Sequence, residues 1–515
     1  MSADKLIEPG IDKLALRLTA RKASSQLQPV FGSVVFLSAL QIAGKSAIMA
    51  VIKQKRGDSR AGGIIMDFLI VNGSPKGENS ITLQTSLYLE KRYPEHRFTV
   101  LDAGHRLPYW EKHPDEAAEQ MRQTDCVIFS YPVYTFLVPS QLVRFLELVK
   151  GTGCDLSGIY ATQITTSKHF YDITAHRFIR ENAQDMGMRF VEGLSADMED
   201  LLSEKGRAEA EKFFEYLLFN IRNGLSEPAD TFPAPSHRPV KAAVCAREKP
   251  GRVVIVADLG GDDGQLARMI ARFRARLPLA TDVVDLGGIG LRGGCLGCFR
   301  CASDGVCVYR DGFADLLRER IQTVDAIVTA FTVRDHGMGS LFKMYDDRQF
   351  CNGHRTVTMG KPMAALVSGN LPAEENLRNV LESRAETGGN FWCGAACDEV
   401  DPAGEIDRVA LRLAYAVKTG HTRPANFWGV GGMKIFRDLI WQMQGLMRED
   451  HRFFKAHGQY DFPQKHRARM LAMYAVGAMN ANPKLRRRLG GKMTEGMLMP
   501  YRAVLKRTEA RNGQK

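Results

Sequence analysis

One stretch limits what this chain can fold into more than any other: Phe68-Leu69-Ile70-Val71-Asn72-Gly73-Ser74-Pro75-Lys76-Gly77-Glu78-Asn79-Ser80. An apolar run reads as a strand and ends in a tight polar turn. A helix-like run, Thr82 to Tyr93, leaves that turn. Strand, turn and helix in this order place unpaired backbone N–H groups and hydroxyls around an anion, as a phosphate requires. Gly73 and Gly77 let the backbone approach, and Ser74, Ser80 and Thr82 supply hydroxyls. The stretch lacks the Gly-Lys-Ser/Thr ending of a Walker A loop, and it lacks the Gly-x-Gly-x-x-Gly of a dinucleotide fold. An ordinary strand-to-helix turn is the plain alternative.

From residue 66 onward, apolar strands alternate with helical runs. Strands are predicted at 68–71, 97–101, 126–130 and 159–164, with an edge strand at 188–191. Helices are predicted at 82–93, 115–122, 140–149, 173–186 and 205–219. Repeated units of this size imply a doubly wound parallel sheet covered on both faces. The ligand of such a sheet sits beyond the carboxyl ends of its strands. Two further loops fall there. Tyr131-Pro132-Val133-Tyr134-Thr135-Phe136 joins a rigid turn to aromatic rings and suits a flat ring. Thr165-Thr166-Ser167-Lys168-His169-Phe170 could wall the same site. Surface loop packing is the simpler explanation of either loop alone.

Gly73-Ser74-Pro75-Lys76-Gly77 with Ser80, followed by Pro132-Val133-Tyr134 and Val138-Pro139-Ser140-Gln141-Leu142, resembles the flavodoxin-like family of NAD(P)H-dependent FMN reductases, quinone reductases and iron–sulfur flavoproteins. The resemblance covers about residues 66–220. It implies that Ser74, Lys76, Asn79 and Ser80 serve the phosphate of FMN. It implies that Pro132, Val133, Tyr134, Thr135 and Phe136 serve the flavin ring, and that Thr165, Thr166 and Ser167 form a third contact.

Gly224 to Pro239 carries four prolines and reads as a linker or extended strap. Beyond it the rhythm returns, with strands at 252–257, 281–286, 326–331 and 363–367 and helices at 264–277, 313–321, 339–350, 376–386 and 406–418. The chain therefore reads as an internal duplication. The second copy has changed where a cofactor would sit. Its first loop, Asp258-Leu259-Gly260-Gly261-Asp262-Asp263-Gly264-Gln265, has three acids and no hydroxyl, which repels a dianion. Thr332-Val333-Arg334 stands where the first copy has Pro132-Val133-Tyr134. One flavin per chain is expected, with Arg334, His336 and Lys343 as residues the second half could lend across a face.

The second half also carries Cys295-x2-Cys298-x2-Cys301-x5-Cys307. Three sulfurs on one tight turn with a fourth nearby can wrap a [4Fe-4S] cubane. A four-cysteine zinc site, a redox dithiol and a metal-free cluster remain open readings. The spacing resembles the compact cysteine motif of iron–sulfur flavoproteins, except that there one domain holds both cofactors. Cys393 and Cys397 are expected to be structural, on a helix face or a loop. Cys126, Cys154, Cys245 and Cys351 are left as structural residues.

The C-terminal region begins with Phe427-Trp428-Gly429-Val430-Gly431-Gly432, read as a flexible aromatic turn. An amphipathic helix is predicted at 433–447. The aromatics after it either pack on the body or form a lid over the flavin. The expected layout is an N-terminal extension (1–65), a flavodoxin-like FMN domain (66–222), a linker (223–240), a second flavodoxin-like domain with the cysteines (241–420) and a helical basic tail (421–515).

Charge separates these parts. The net charge is +12, yet residues 464–515 hold thirteen Lys/Arg against two Glu, and residues 1–65 hold ten against four acids. The basic ends favour an anionic membrane surface or an acidic protein partner. No nucleic-acid signature accompanies them. Val30 to Ile52 is apolar but interrupted, which argues against a span; an interfacial or partner-docking helix and a plain appendage to a body that opens at Met66 are the open readings. The long chain and clustered cysteines suit a reducing, cytoplasmic setting, with peripheral membrane attachment as a variant.

The expected function is a flavin-dependent oxidoreductase. A nicotinamide nucleotide, ferredoxin or another reduced protein would be the donor, and a quinone or other small molecule the acceptor. A homo-oligomer is expected. A non-catalytic electron carrier and a membrane-associated scaffold with a dead flavin site are the rival readings.

Overall fold

The computed structural model describes residues 65–488 apart from 169–170, 230–231, 245–248 and 261–263. The expected N-terminal extension, the apolar run 30–52, Cys245 and the last part of the basic tail lie outside the described residues.

Two parallel sheets form the body. The first contains β1 (Asp67–Asn72), β2 (Arg97–Asp102), β3 (Cys126–Pro132), β4 (Tyr160–Ser167), β5 (Arg189–Phe190) and β6 (Leu194–Asp197). Its order is β2-β1-β3-β4-β5, with β6 continuing the edge beside β4. The second contains β7 (Lys249–Ala257), β8 (Leu279–Asp285), β9 (Ala326–Thr332), β10 (Pro362–Ser368) and β11 (Phe391–Cys397), in the order β11-β10-β9-β7-β8. Renumbered within its own half, the second order is the first read from the other edge. Both are the 2-1-3-4-5 arrangement of a flavodoxin-like fold.

The first half carries helices α1 (Ile81–Arg92), α2 (Pro114–Arg122), α3 (Ser140–Gly151), α4 (Ile173–Asp185) and α5 (Glu204–Arg222). The second carries α6 (Gln265–Arg276), α7 (Gly339–Arg348), α8 (Glu375–Thr387) and α9 (Pro402–Thr419). The tail adds α10 (Phe427–Gln442), α11 (Arg448–Ala456) and α12 (Arg467–Ala481). The central strands read as unbroken apolar runs because helices cover both their faces. Phe129 on β3 and Phe145 on α3 are fully buried. Cutting such a ring back to alanine costs about 3–5 kcal/mol.

One hydrophobic core runs through both halves, joining Val143 and Leu146 on α3 to Phe342 and Tyr345 on α7. Polar contacts across this seam are reciprocal. The Ser140 amide donates to Asp347 at 2.8 Å, and the Ser340 amide donates to Glu147 at 2.7 Å. Each residue stands 200 positions from its counterpart. The loops after β3 and β9 match as well. Tyr134 and Leu137 exchange backbone hydrogen bonds, as do Arg334 and Gly337. The residues between them, Thr135-Phe136 and Asp335-His336, all have positive φ, from 47° to 67°. Two successive left-handed residues make the turn type that matches strand twist.

Three expectations change. Phe427–Gly432 is the first part of α10, not a turn. Asn426 caps the Gly429 amide, and the glycines there admit close packing: a Cβ on Gly432 would stand 2.5 Å from Thr387. Cys393 and Cys397 lie on strand β11, not on a helix or a loop; both are buried, Cys393 against α9 and Cys397 in the core that runs through both halves. Small residues there give a weak strand signal, and pairing with β10 overrides it. Last, the expected edge strand at 188–191 is only two residues long, and β6 takes over the edge.

Candidate functional site

The carboxyl ends of the first sheet open into a cavity of about 320 Å³. Ser74, Lys76 and Ser80 line one end. The Ser74 hydroxyl accepts from the Lys76 amide at 3.3 Å, which folds the turn back on itself. Ser80 is the N-cap of α1 and accepts from the Leu83 amide at 3.4 Å. An anion at this end would meet the start of a helix and a lysine together. Pro132, Val133, Tyr134, Thr135 and Phe136 line the middle, and Thr166 and Ser167 close that side. Thr166 bonds the hydroxyl of Thr82 at 2.5 Å.

Two expected residues stand elsewhere. Asn79 is exposed at the end of a short 3-10 turn, away from the cavity lining. Thr165 is buried and bonds His176 Nε2 at 2.9 Å. It neighbours Thr166 on a strand, so the two point to opposite faces of β4. His169 and Phe170 of the same loop lie outside the described residues.

The opposite wall comes from the second half. All four cysteines, Cys295, Cys298, Cys301 and Cys307, line the same cavity as the residues of the first half. Their loop rests on the first half. Gln141 Nε2 reaches the Cys295 carbonyl at 3.5 Å, and a Cβ on Gly297 would stand 2.2 Å from Tyr134 Oη. Lys76 Nζ sits 5.7 Å from the Phe299 ring centre.

The loop is held from behind by Arg348. This buried side chain makes two hydrogen bonds of 2.9 Å to Asp311 and one of 3.0 Å to the Gly293 carbonyl. Burial works against the Asp311 charge, but the Arg348 guanidinium outweighs it and holds the carboxyl down at about 2. Tyr309 stacks under the same guanidinium, 4.2 Å from the charge centre, and donates to the Gly294 carbonyl.

Among the described residues, no three cysteine sulfurs lie within 4.8 Å of one another. Burial pushes the Cys295 thiol up to about 12 and raises Cys301 as well. Cys301 Sγ lies 2.8 Å from the Phe350 carbonyl.

Sequence reasoning missed part of the wall. Arg348, Phe350, Cys351 and His354 come from the end of α7 and the turn after it. Ile435, Phe436 and Leu439 come from α10. Their helical spacing was visible, but not the surface they meet. The tail aromatics pack on the short helix Arg300–Asp304 through Phe454, Met447 and Tyr460. They therefore support the cysteine loop, while α10 walls the cavity.

Of the residues the second half could lend, Lys343 reaches the loop after β3 of the first. Its Nζ donates to the Tyr134 carbonyl at 3.0 Å and to Thr135 Oγ1 at 2.7 Å. It also pairs with Asp347. His336 is buried between Asp185 of the first half and Glu374 of the second. Arg334 turns instead to its own first loop and bonds the Gly260 carbonyl. The position matching Tyr134 therefore fills its own half's turn with a cation.

Residues 66–196 match the profile of the flavodoxin-like fold family. The flavodoxin-like match stops short of the second half, which shares the strand order. No curated protein matches the sequence. Several solved structures are similar over a third of the chain or less. An FMN-dependent NADH-azoreductase from Bacillus anthracis, in complex with FMN, is 14% identical, with 29% of this chain and 99% of that chain covered and a TM-score of 0.24. An NAD(P)H:quinone oxidoreductase from Methanothermobacter marburgensis is 14% identical, covering 33% and 100%, with a TM-score of 0.25. A flavoenzyme NAD(P)H:(acceptor) oxidoreductase from Paracoccus denitrificans is 14% identical, covering 30% and 98%, with a TM-score of 0.24.

Proposed function

We propose that this chain is an FMN-dependent oxidoreductase whose second flavodoxin-like domain holds a [4Fe-4S] cluster beside the flavin of the first. One observation carries the reading: ten of the twelve expected FMN residues of the first half, all but Asn79 and Thr165, and all four cysteines of the second line a single cavity. Its size falls within the usual range of cofactor sites. FMN supplies hydride and single-electron chemistry, and the cluster supplies single electrons.

The chain's own groups would divide the work as follows. The start of α1 with Ser74, Lys76 and Ser80 holds the phosphate. The Pro132–Phe136 turn presents backbone and rings to one face of the flavin, with Thr166 and Ser167 at its edge. The cysteine loop and α10 exclude water from the other side. The apolar wall of Ile435, Phe436 and Leu439 suits a quinone-like acceptor. A nicotinamide nucleotide or a reduced protein would be the donor. The seam of matched contacts 200 positions apart supports an origin by duplication, with domains at 66–222 and 241–420. The second domain takes the covering role a partner subunit could take, so the site itself does not require a homo-oligomer.

The test is anaerobic purification with absorption spectrum, FMN and iron per chain, followed by NAD(P)H oxidation with a quinone. Flavin bands, a broad shoulder near the violet and about four irons per chain are expected. Cys298→Ser with Cys307→Ser should lose iron and keep FMN. Zinc in place of iron would remove the cluster, and colourless protein would remove the whole reading. Bound cofactors without turnover would favour an electron carrier between proteins.

A further inference from the structure

We propose that helix α12 docks the protein on an anionic lipid surface. The helix spans Arg467–Ala481 and has no buried residue. Met470, Leu471, Met473, Tyr474, Val476 and Met479 are all exposed, Tyr474 at 70%. At 100° per residue they point to every side of the helix, not to one stripe. A helix apolar all round belongs in a protein core or in lipid. This one has no protein around it among the described residues.

The charge pattern selects lipid. Lys465, Arg467 and Arg469 precede the apolar stretch, and Lys484, Arg486, Arg487 and Arg488 follow it. No Asp or Glu occurs from Pro463 to Thr494. A second copy pairing along this helix would bring cationic ends onto cationic ends. A groove on an acidic protein would cover one face and leave the others wet. A leaflet surrounds the apolar stretch on all sides while its headgroups meet both cationic ends. At about 22 Å the helix is too short for a hydrocarbon core of roughly 30 Å. No described helix is long and apolar enough to cross a membrane. α12 therefore rests in one leaflet.

The test uses the full-length protein and vesicle flotation. One set of vesicles is phosphatidylcholine alone, and the other adds about one quarter phosphatidylglycerol. The protein should float at least tenfold more with the anionic vesicles, and salt above roughly 0.5 M should release much of it. Leu471→Glu with Tyr474→Glu should abolish binding. Arg486→Gln, Arg487→Gln and Arg488→Gln together should cut it at least tenfold. Met473→Leu should leave it unchanged. A thermal melt checks folding, so the result does not depend on a bound flavin. Equal flotation with both vesicle types, or of native chain and the double glutamate variant, would overturn the proposal. So would sedimentation showing a dimer that the double variant dissociates, without vesicle binding.

Discussion

Lys343, fully buried on α7 of the second half, donates to the backbone carbonyl of Tyr134 in the first half at 3.0 Å. The same ammonium pairs with Asp347, which also takes the Ser140 amide. One ion pair therefore fixes the turn expected to face the flavin ring. Sequence alone named Lys343 as a residue the second half could lend, but not its partner, which lies 209 residues away.

Lys343→Met should leave Asp347 buried without its cation. Burial already raises that carboxyl, with Lys343 as the main opposing influence. Breaking a buried pair in this way costs about 3–5 kcal/mol. Urea unfolding should show the loss, and FMN should dissociate more readily from the variant. Unchanged stability would mean that the seam does not depend on this pair.

Gly297→Ala should lift the cysteine loop from Tyr134. The new Cβ would stand 2.2 Å from Tyr134 Oη and 3.2 Å from Lys76 Cε, at a residue with φ of +62°. Gly312→Ala is the control: it has φ of +75° and nothing within 4 Å. The control should lose only about 1–2 kcal/mol from its left-handed backbone. Iron per chain should fall in the first variant and hold in the second.

His336 gives the stability a pH dependence. Burial lowers its affinity for a proton, but hydrogen bonds to Asp185 and Glu374 outweigh burial and raise the imidazole to about 9. A raised folded value means the contribution is complete below the unfolded value near 6.5 and is lost as pH rises through about 9. The span corresponds to about 3 kcal/mol. Urea midpoints should therefore fall between pH 7 and pH 10, and His336→Gln should flatten that fall. A native profile as flat as the variant's would exclude the clamp.

The second half should bind no flavin. The Arg334 bond to Gly260 occupies the turn that would face it, and the acidic first loop repels phosphate. FMN titration should saturate at one per chain, and Arg334→Ala should not raise that number.

Local pattern was enough to read the alternation of strands and helices, the strand-to-helix turn at Gly73 and the cysteine spacing. These depend on neighbours in the chain, and side-chain period and turn chemistry report neighbours directly. Asn79 and Thr165 sit beside lining residues: Asn79 points outward from its short 3-10 turn, and Thr165 faces the opposite side of β4 from Thr166, and local pattern reports neither. The strand at Cys393–Cys397 and the helix at Phe427–Gly432 were hidden because small residues carry little propensity. Their conformation comes from β10 in one case and from Thr387 in the other. Only the tertiary structure decided that the cysteine loop of one half closes the cavity of the other. That choice is made by α3 packing on α7, by Lys343 and by Arg348, all of them contacts between residues far apart in the chain.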